Sequence, residues 1–194
     1  MQREENTVGN APLASTPHPA PRTPHTAWDV SADLDELART PVAVVCAGAK
    51  SILDLSATLE VLETRSVPVV GFGTETFPAF YLRSSGLPAS VCVESPVAAA
   101  ALLTAHWDLG GAGVVIAQPL PEGDALDPGE FAVALEQAER LAAEADVRGP
   151  ALTPFLLTRL AELTGGRTLK ANRALIVANA RLAARIAVAL AGRV

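Results

Sequence analysis

Apolar positions along the chain follow two alternating rhythms. The first is short and continuous: VAVVCA at 42–47, VPVVGF at 67–72, SVCV at 90–93 and GVVIAQ at 113–118. Runs of this length without polar alternation predict strands buried on both faces. The second rhythm has helical spacing. SADLDELAR at 31–39 places Leu34, Leu37 and Ala38 on one face, with Ser31 or Asp33 as cap. SILDLSATLEVLE at 51–63 predicts a helix through apolar positions 52, 53, 55, 59 and 62. Residues 95–109 open on Ser95-Pro96, residues 127–145 on Asp127-Pro128, and residues 153–164 on Thr153-Pro154, each a helix-start signature. Gly165-Gly166 closes the last of these, and an Ala-rich helix spans 168–191. Residues 73–86, GTETFPAFYLRSSG, predict a loop with room for a short helix. Strands alternating with helices predict an α/β fold: three layers, α/β/α, with a largely parallel central sheet. In such sheets ligands sit beyond the carboxyl ends of the strands.

The rhythm begins abruptly at Trp28. Residues 1–27 hold five prolines between Pro12 and Pro24 and no periodicity, which predicts a disordered, extended tail. The folded unit is therefore expected over 28–194. Hydrophobic residues make up 49% of the 194 positions and aromatics only 4%, so the core must be built from Ala, Val and Leu. The net charge is -6 without a basic run, which argues against nucleic acid or an anionic membrane as partner. No uninterrupted apolar run reaches the roughly 18 residues of a membrane span. Cys46 and Cys92 each lie inside an apolar run with no CxxC, as expected for buried thiols in a reducing cytoplasm.

Candidate chemistry starts at Lys50, in PVAVVCAGAKS. A phosphate loop requires Gly directly before the Lys and a second Gly five positions earlier; Ala49 and Val44 stand there, so the motif fails. Two readings remain. In one, Lys50 opens the next helix and snorkels to water, against the positive end of the helix dipole. In the other, that dipole and the apolar strand favour the neutral amine, a Schiff-base nucleophile toward a sugar carbonyl. The helix start beside it would then seat a phosphate. Asp29, Ser31 and Asp33 lie at period-two spacing in WDVSADL, where oxygen ligands could hold a hard divalent ion if the segment is extended. Helix capping is the competing reading for Ser31 and Asp33. GFGTET at 71–76 lacks the third Gly of a dinucleotide loop and supports a generic nucleotide-binding module only weakly. His106, mid-helix beside Trp107, reads as a packed or surface side chain.

These stretches together resemble a known family. WDVSADLDELARTPVAVVCAGAKSILDLSATLEVLETRSVPVVGFGTETFPAFYLRSSGLP, GVVIAQPLPEGDALDP and RGPALTPFLLTRLAELTGGRTLKAN are similar to the pseudouridine-5'-phosphate glycosidases, also called indigoidine synthase A-like. The resemblance runs from about 28 to 191. It implies reversible cleavage of pseudouridine 5'-phosphate to uracil and ribose 5-phosphate, through an imine between a lysine and the opened sugar. It also implies manganese as cofactor, a homotrimer, and no nucleic-acid or membrane partner. By resemblance Lys50 is the nucleophile, Asp29 the manganese ligand, Ser31, Ala32 and Asp33 the substrate-binding stretch, and Asn172 a polar substrate contact. The fold is expected to be incomplete relative to the family, because the family's N-terminal part has no counterpart here. That part carries a proton-donor glutamate and a further substrate-binding lysine, and no residue of 1–27 matches the glutamate. A general acid contributes about 10²–10⁴-fold. The alternative to an active glycosidase is therefore a catalytically inactive remnant that retains sugar-phosphate binding.

Overall fold

The computed structural model describes residues 33–50 and 52–192. The expected tail and the candidate residues Asp29, Ser31 and Ala32 lie outside them. Among the described residues four strands form one parallel sheet: β1 (Ala43–Cys46), β2 (Val69–Phe72), β3 (Val91–Val93) and β4 (Val114–Ala117). Their spatial order is β1-β4-β2-β3. In register, Val44 pairs Val115 and Val70 pairs both Ile116 and Val91. The four runs read as strands from the sequence are the four that form. Each is trimmed by one or two residues at its ends.

Among the described residues six α-helices surround the sheet: α1 (Asp33–Leu37), α2 (Leu55–Thr64), α3 (Pro96–Asp108), α4 (Pro128–Glu144), α5 (Leu152–Leu163) and α6 (Arg167–Ala191). Leu34, Leu37 and Leu62 of α1 and α2 pack on one sheet face with Val69, Val115 and Phe77. On the other face Ala99 and Leu103 of α3 and Leu182 and Ile186 of α6 pack against Val70, Val114 and Ile116. A third cluster, built on Phe131, Leu135, Leu156, Leu160 and Leu175, joins α4, α5 and α6 to Ala47, Tyr81 and Leu120. The architecture is thus three-layer α/β/α, as expected. Its helix caps are the expected ones at two places. The Ser95 hydroxyl accepts from Ala98 N, and Asp127 Oδ1 accepts from Gly129 N and Glu130 N. Pro follows each cap, where its missing N–H costs nothing.

Four local expectations change. The second helix begins at Leu55, with Asp54 as its cap through Ala57 N at 2.9 Å, so Lys50 does not open it. Asp33 is already helical, so the extended period-two spacing from Asp29 does not reach it. α5 begins at Leu152 after a 3-10 turn at Gly149–Ala151, without a side-chain cap from Thr153. Residues 73–90 contain no helix and connect parallel β2 to β3 directly, held by bridges Thr76–Pro88 and Ala79–Leu82. The last point also disposes of GFGTET as a dinucleotide loop, because that fingerprint needs a helix opening behind its glycines.

α6 is 25 residues long, and an 18-residue window of it has a mean hydropathy of 1.7, enough by length and composition to cross a membrane. It packs instead on α3 and β1, burying Ala171, Leu175, Leu182 and Ile186.

Candidate active site

The turn that follows β1 is where sequence and structure converge. Leaving Cys46, the chain passes Ala47, turns at Gly48 with φ +83°, and reaches Lys50, whose carbonyl accepts from Leu53 N at 2.9 Å. The loop at 73–90 clamps this turn. Phe80 N donates to Ala47 O at 2.9 Å, and Gly48 forms an antiparallel bridge with Ala79. A Cβ on Gly48 would lie 1.7 Å from Pro78 O, so both the close approach and the positive φ require glycine here. Phe80 itself has φ +62°, uncommon for a non-glycine residue. It is held there by an edge-to-face contact with Tyr81, whose ring in turn meets Phe131. Lys50 is half-buried, on a turn fixed at the carboxyl end of an edge strand.

Asp33 shares a cleft with this turn, and Asn172 neighbours a residue of the core cluster that the turn enters. A cleft of about 210 Å³ is lined by Asp33, Leu37, Val44, Cys46, Gly48 and Ala49, which places Asp33 beside the residues leading into Lys50. Burial pushes the Cys46 thiol up, and a hydrogen bond from the Gly48 backbone pulls it back part of the way. Asn172 is half-buried on α6, next to Ala171, which shares a cluster with Ala47 and Ile52. The structure therefore gathers the elements bearing Asp33, Lys50 and Asn172. Lys170, two residues before Asn172, pairs with Asp124 at 3.1 Å and ties α6 to the turn after β4.

Gln118 and Asn179 are polar groups at this end of the sheet that the sequence reading did not single out. Gln118 ends the β4 run; its backbone N donates to Cys46 O, and its Nε2 donates to Asn179 Oδ1 at 2.9 Å. The available signal was a lone amide directly behind a fully apolar strand, at the edge where ligands sit. A larger groove of about 380 Å³ lies elsewhere, between α4 and the start of α6, and is lined by Glu130 and Arg167, which pair at 2.6 Å. Asp33, Lys50 and Asn172 do not line it. Among the described residues no group of three or more His, Cys, Asp or Glu could hold a metal ion.

Comparison with known proteins adds to this geometry. Residues 20–189 match the family described as indigoidine synthase A like protein. The chain belongs to that family. Curated relatives include a pseudouridine-5'-phosphate glycosidase of Methylobacterium nodulans, 58% identical over 166 residues, which are 84% of this chain and 49% of the relative. One from Caldanaerobacter subterraneus is 56% identical over 164 residues, 84% of this chain and 53% of the relative. The chain spans about half the length of the curated relatives it matches. Among solved structures, a prealnumycin C-glycosynthase in complex with ribulose 5-phosphate superposes with a TM-score of 0.79 at 36% identity, covering 84% of this chain and 54% of that one. An indigoidine synthase A-like protein of Thermotoga maritima superposes with a TM-score of 0.74 at 39% identity, with the same coverage. All six candidate residues, from Asp29 to Asn172, fall inside the span matched to the indigoidine synthase A-like family.

Proposed function

We propose that this chain carries the imine-forming part of a pseudouridine-5'-phosphate glycosidase, acting on the C–C glycosidic bond of pseudouridine 5'-phosphate. The observation that carries the reading is the clamped AGAKS turn. It holds a lysine at the carboxyl end of β1, beside a cleft that also takes in Asp33. The lysine's own helix is not the source of its chemistry, because α2 starts past Asp54. What remains is positioning: a backbone clamped by the 73–90 loop puts Lys50 at the sheet edge where ligands collect.

In this reading Lys50 Nζ bonds to the anomeric carbon as the ring oxygen leaves and takes a proton. The nitrogen lone pair then forms the C=N bond while the C–C bond to uracil breaks. That bond's electron pair ends on the uracil carbon, where a proton completes the balance. Water hydrolyses the imine, releasing ribose 5-phosphate and the free amine. Asp33, with Ser31 and Ala32, and Asn172 take the roles of substrate contacts. Manganese belongs to the same proposal through Asp29 alone. The described residues add no ligand cluster to it. A homotrimeric assembly and a cytoplasmic location belong to it as well, by the same resemblance.

Borohydride trapping with ribose 5-phosphate tests the reading. A reduced sugar adduct on the peptide containing Lys50, absent in Lys50→Ala, is the expected result. A folded protein that gives no adduct, or gives it equally in Lys50→Ala, would overturn it and leave the inactive remnant as the better account.

A further inference from the structure

The inner strand β4 and the long helix α6 meet through one polar pair in an otherwise apolar seam. Gln118 Nε2 donates to Asn179 Oδ1 at 2.9 Å, and both residues are half-buried. On the strand side, Val114–Ala117 ahead of Gln118 are all apolar and buried. On the helix side, Asn179 lies between the buried Leu175 and Leu182. An apolar side chain at either place would extend the packing of its neighbours, and an amide in such a setting is costly unless it is bonded. The bond between the two meets only part of what they bring. A primary amide carries one carbonyl acceptor and one NH2 donor, so Gln118 Oε1 is left to accept and Asn179 Nδ2 to donate. The pair also stands at the carboxyl end of the sheet. Gln118 N donates to Cys46 O at 2.9 Å, which sets it beside the start of the AGAKS turn that carries Lys50. Asn179 follows Asn172 by seven residues, two helical turns, so both fall on one face of α6.

We propose that Gln118 and Asn179 are specificity-determining residues that read a lactam edge, the adjoining N–H and C=O of a planar pyrimidine base. The N–H of such an edge donates to Gln118 Oε1, and its C=O accepts from Asn179 Nδ2. The proposal rests on the glycosidase reading and deepens it: Lys50 engages the sugar carbon, and the amide pair holds the base that leaves. Sites for small ligands are mostly apolar, with a few placed polar groups that fix orientation. One amide pair in a seam of Val, Ile and Leu has that composition. Its chemistry suits a neutral base better than charged side chains would. A carboxylate would repel the electron pair that the departing uracil carbon takes up. A lysine or arginine could not accept from the ring N–H. A pyrimidine methylated on both ring nitrogens keeps its carbonyls but has no N–H to give. Gln118 Oε1 would then face a methyl group, and a site built to pair with an N–H rejects the analogue that lacks it.

The test is equilibrium dialysis of uracil and of 1,3-dimethyluracil against the full 194-residue chain, with ribose 5-phosphate present. The parent protein is expected to bind uracil about tenfold or more tightly than the dimethyl compound. Gln118→Leu is expected to abolish that preference by weakening uracil alone. Gln137→Leu, in the separate groove on α4, is expected to keep it. A pair that merely braced α6 against β4 would shift the urea midpoint and weaken both ligands alike, so the preference reads recognition apart from bracing. A second measurement needs no variant: the side-chain NH2 signals of Gln118 and Asn179 in the parent's 1H–15N spectrum should move with uracil and stay with dimethyluracil. Three results would overturn the inference: no uracil binding by the parent, a preference that survives Gln118→Leu, or amide signals that ignore uracil. A Lys50 adduct with ribose 5-phosphate but no uracil preference would retire this inference and leave the glycosidase reading standing. A preference lost in Gln118→Leu, without a Lys50 adduct, would do the reverse.

Discussion

Gly48 and Pro78 meet backbone to backbone, with the Pro78 carbonyl occupying the space where any other residue at 48 would place its Cβ, 1.7 Å away. The contact joins the turn that carries Lys50 to the loop that links β2 and β3. Gly48→Ala is therefore expected to combine a positive-φ penalty with overpacking, a loss of about 2–4 kcal/mol. It should also shift Lys50, so imine trapping should fall further than the lost stability explains. Urea denaturation and trapping on the folded fraction measure the two effects. An alanine variant with the parent's midpoint would show that the loop does not clamp the turn.

Cys46 gives the stability a pH dependence on the alkaline side. Burial raises its thiol above the ordinary value of 9.0, so the unfolded chain loses this proton first as pH rises. The native state then binds more protons than the unfolded state, and stability falls from about pH 9 upward through the folded value. Tyr81, also raised by burial from 10.0, adds a loss of the same sign higher up. Urea midpoints measured from about pH 8 to about pH 10 should decline in the parent protein and decline less steeply in Cys46→Ala. Equal slopes would mean that the thiol is as solvated folded as unfolded.

Two helix starts that look alike in sequence should respond differently. Asp127 Oδ1 satisfies Gly129 N and Glu130 N, at 2.9 and 3.0 Å, so Asp127→Ala should cost about 1 kcal/mol. Thr153 precedes a Pro in the same way, but α5 is already under way at Leu152 and takes no side-chain cap. Thr153→Ala should change stability by less than about 0.5 kcal/mol. Equal losses at the two sites would place a cap at Thr153 after all.

That pair shows what could be read from the chain and what could not. Signals that act locally were legible: continuous apolar runs become strands, although only β2 and β4 are buried along most or all of their length while β1 and β3, at the edges, are partly exposed, and Ser95 and Asp127, each followed by Pro, cap where expected. Ser51 ahead of Ile52 and Leu53 carries the same kind of signal, yet the helix waits for Asp54. Ile52 is drawn into the α4–α6 cluster and Leu53 into the cleft wall, so tertiary burial overrides the local start. The strand order β1-β4-β2-β3 depends on pairings between distant segments, to which periodicity is blind. The site divides in the same way. Lys50 stood out because it follows an apolar run, whereas Gln118 and Asn179, 61 residues apart, form a unit only once α6 has crossed the sheet.

The standing of α6 can be tested by two substitutions on its opposite faces. Leu182 is fully buried between the sheet and α3, and Ile176 is 58% exposed. If the helix docks on β1 and α3, Leu182→Ala opens a cavity and costs about 2–5 kcal/mol. Ile176→Ser, on the outer face, should stay within about 0.5 kcal/mol of the parent. A helix whose apolarity served a membrane would give no such difference in detergent-free buffer, since neither face would be supported by the sheet and Leu182→Ala would leave the cooperative transition unmoved. Chemical denaturation of the full chain, followed by far-UV circular dichroism, reads both variants on one scale. A large loss at 182 with none at 176 assigns the hydropathy of α6 to its packing in the third layer.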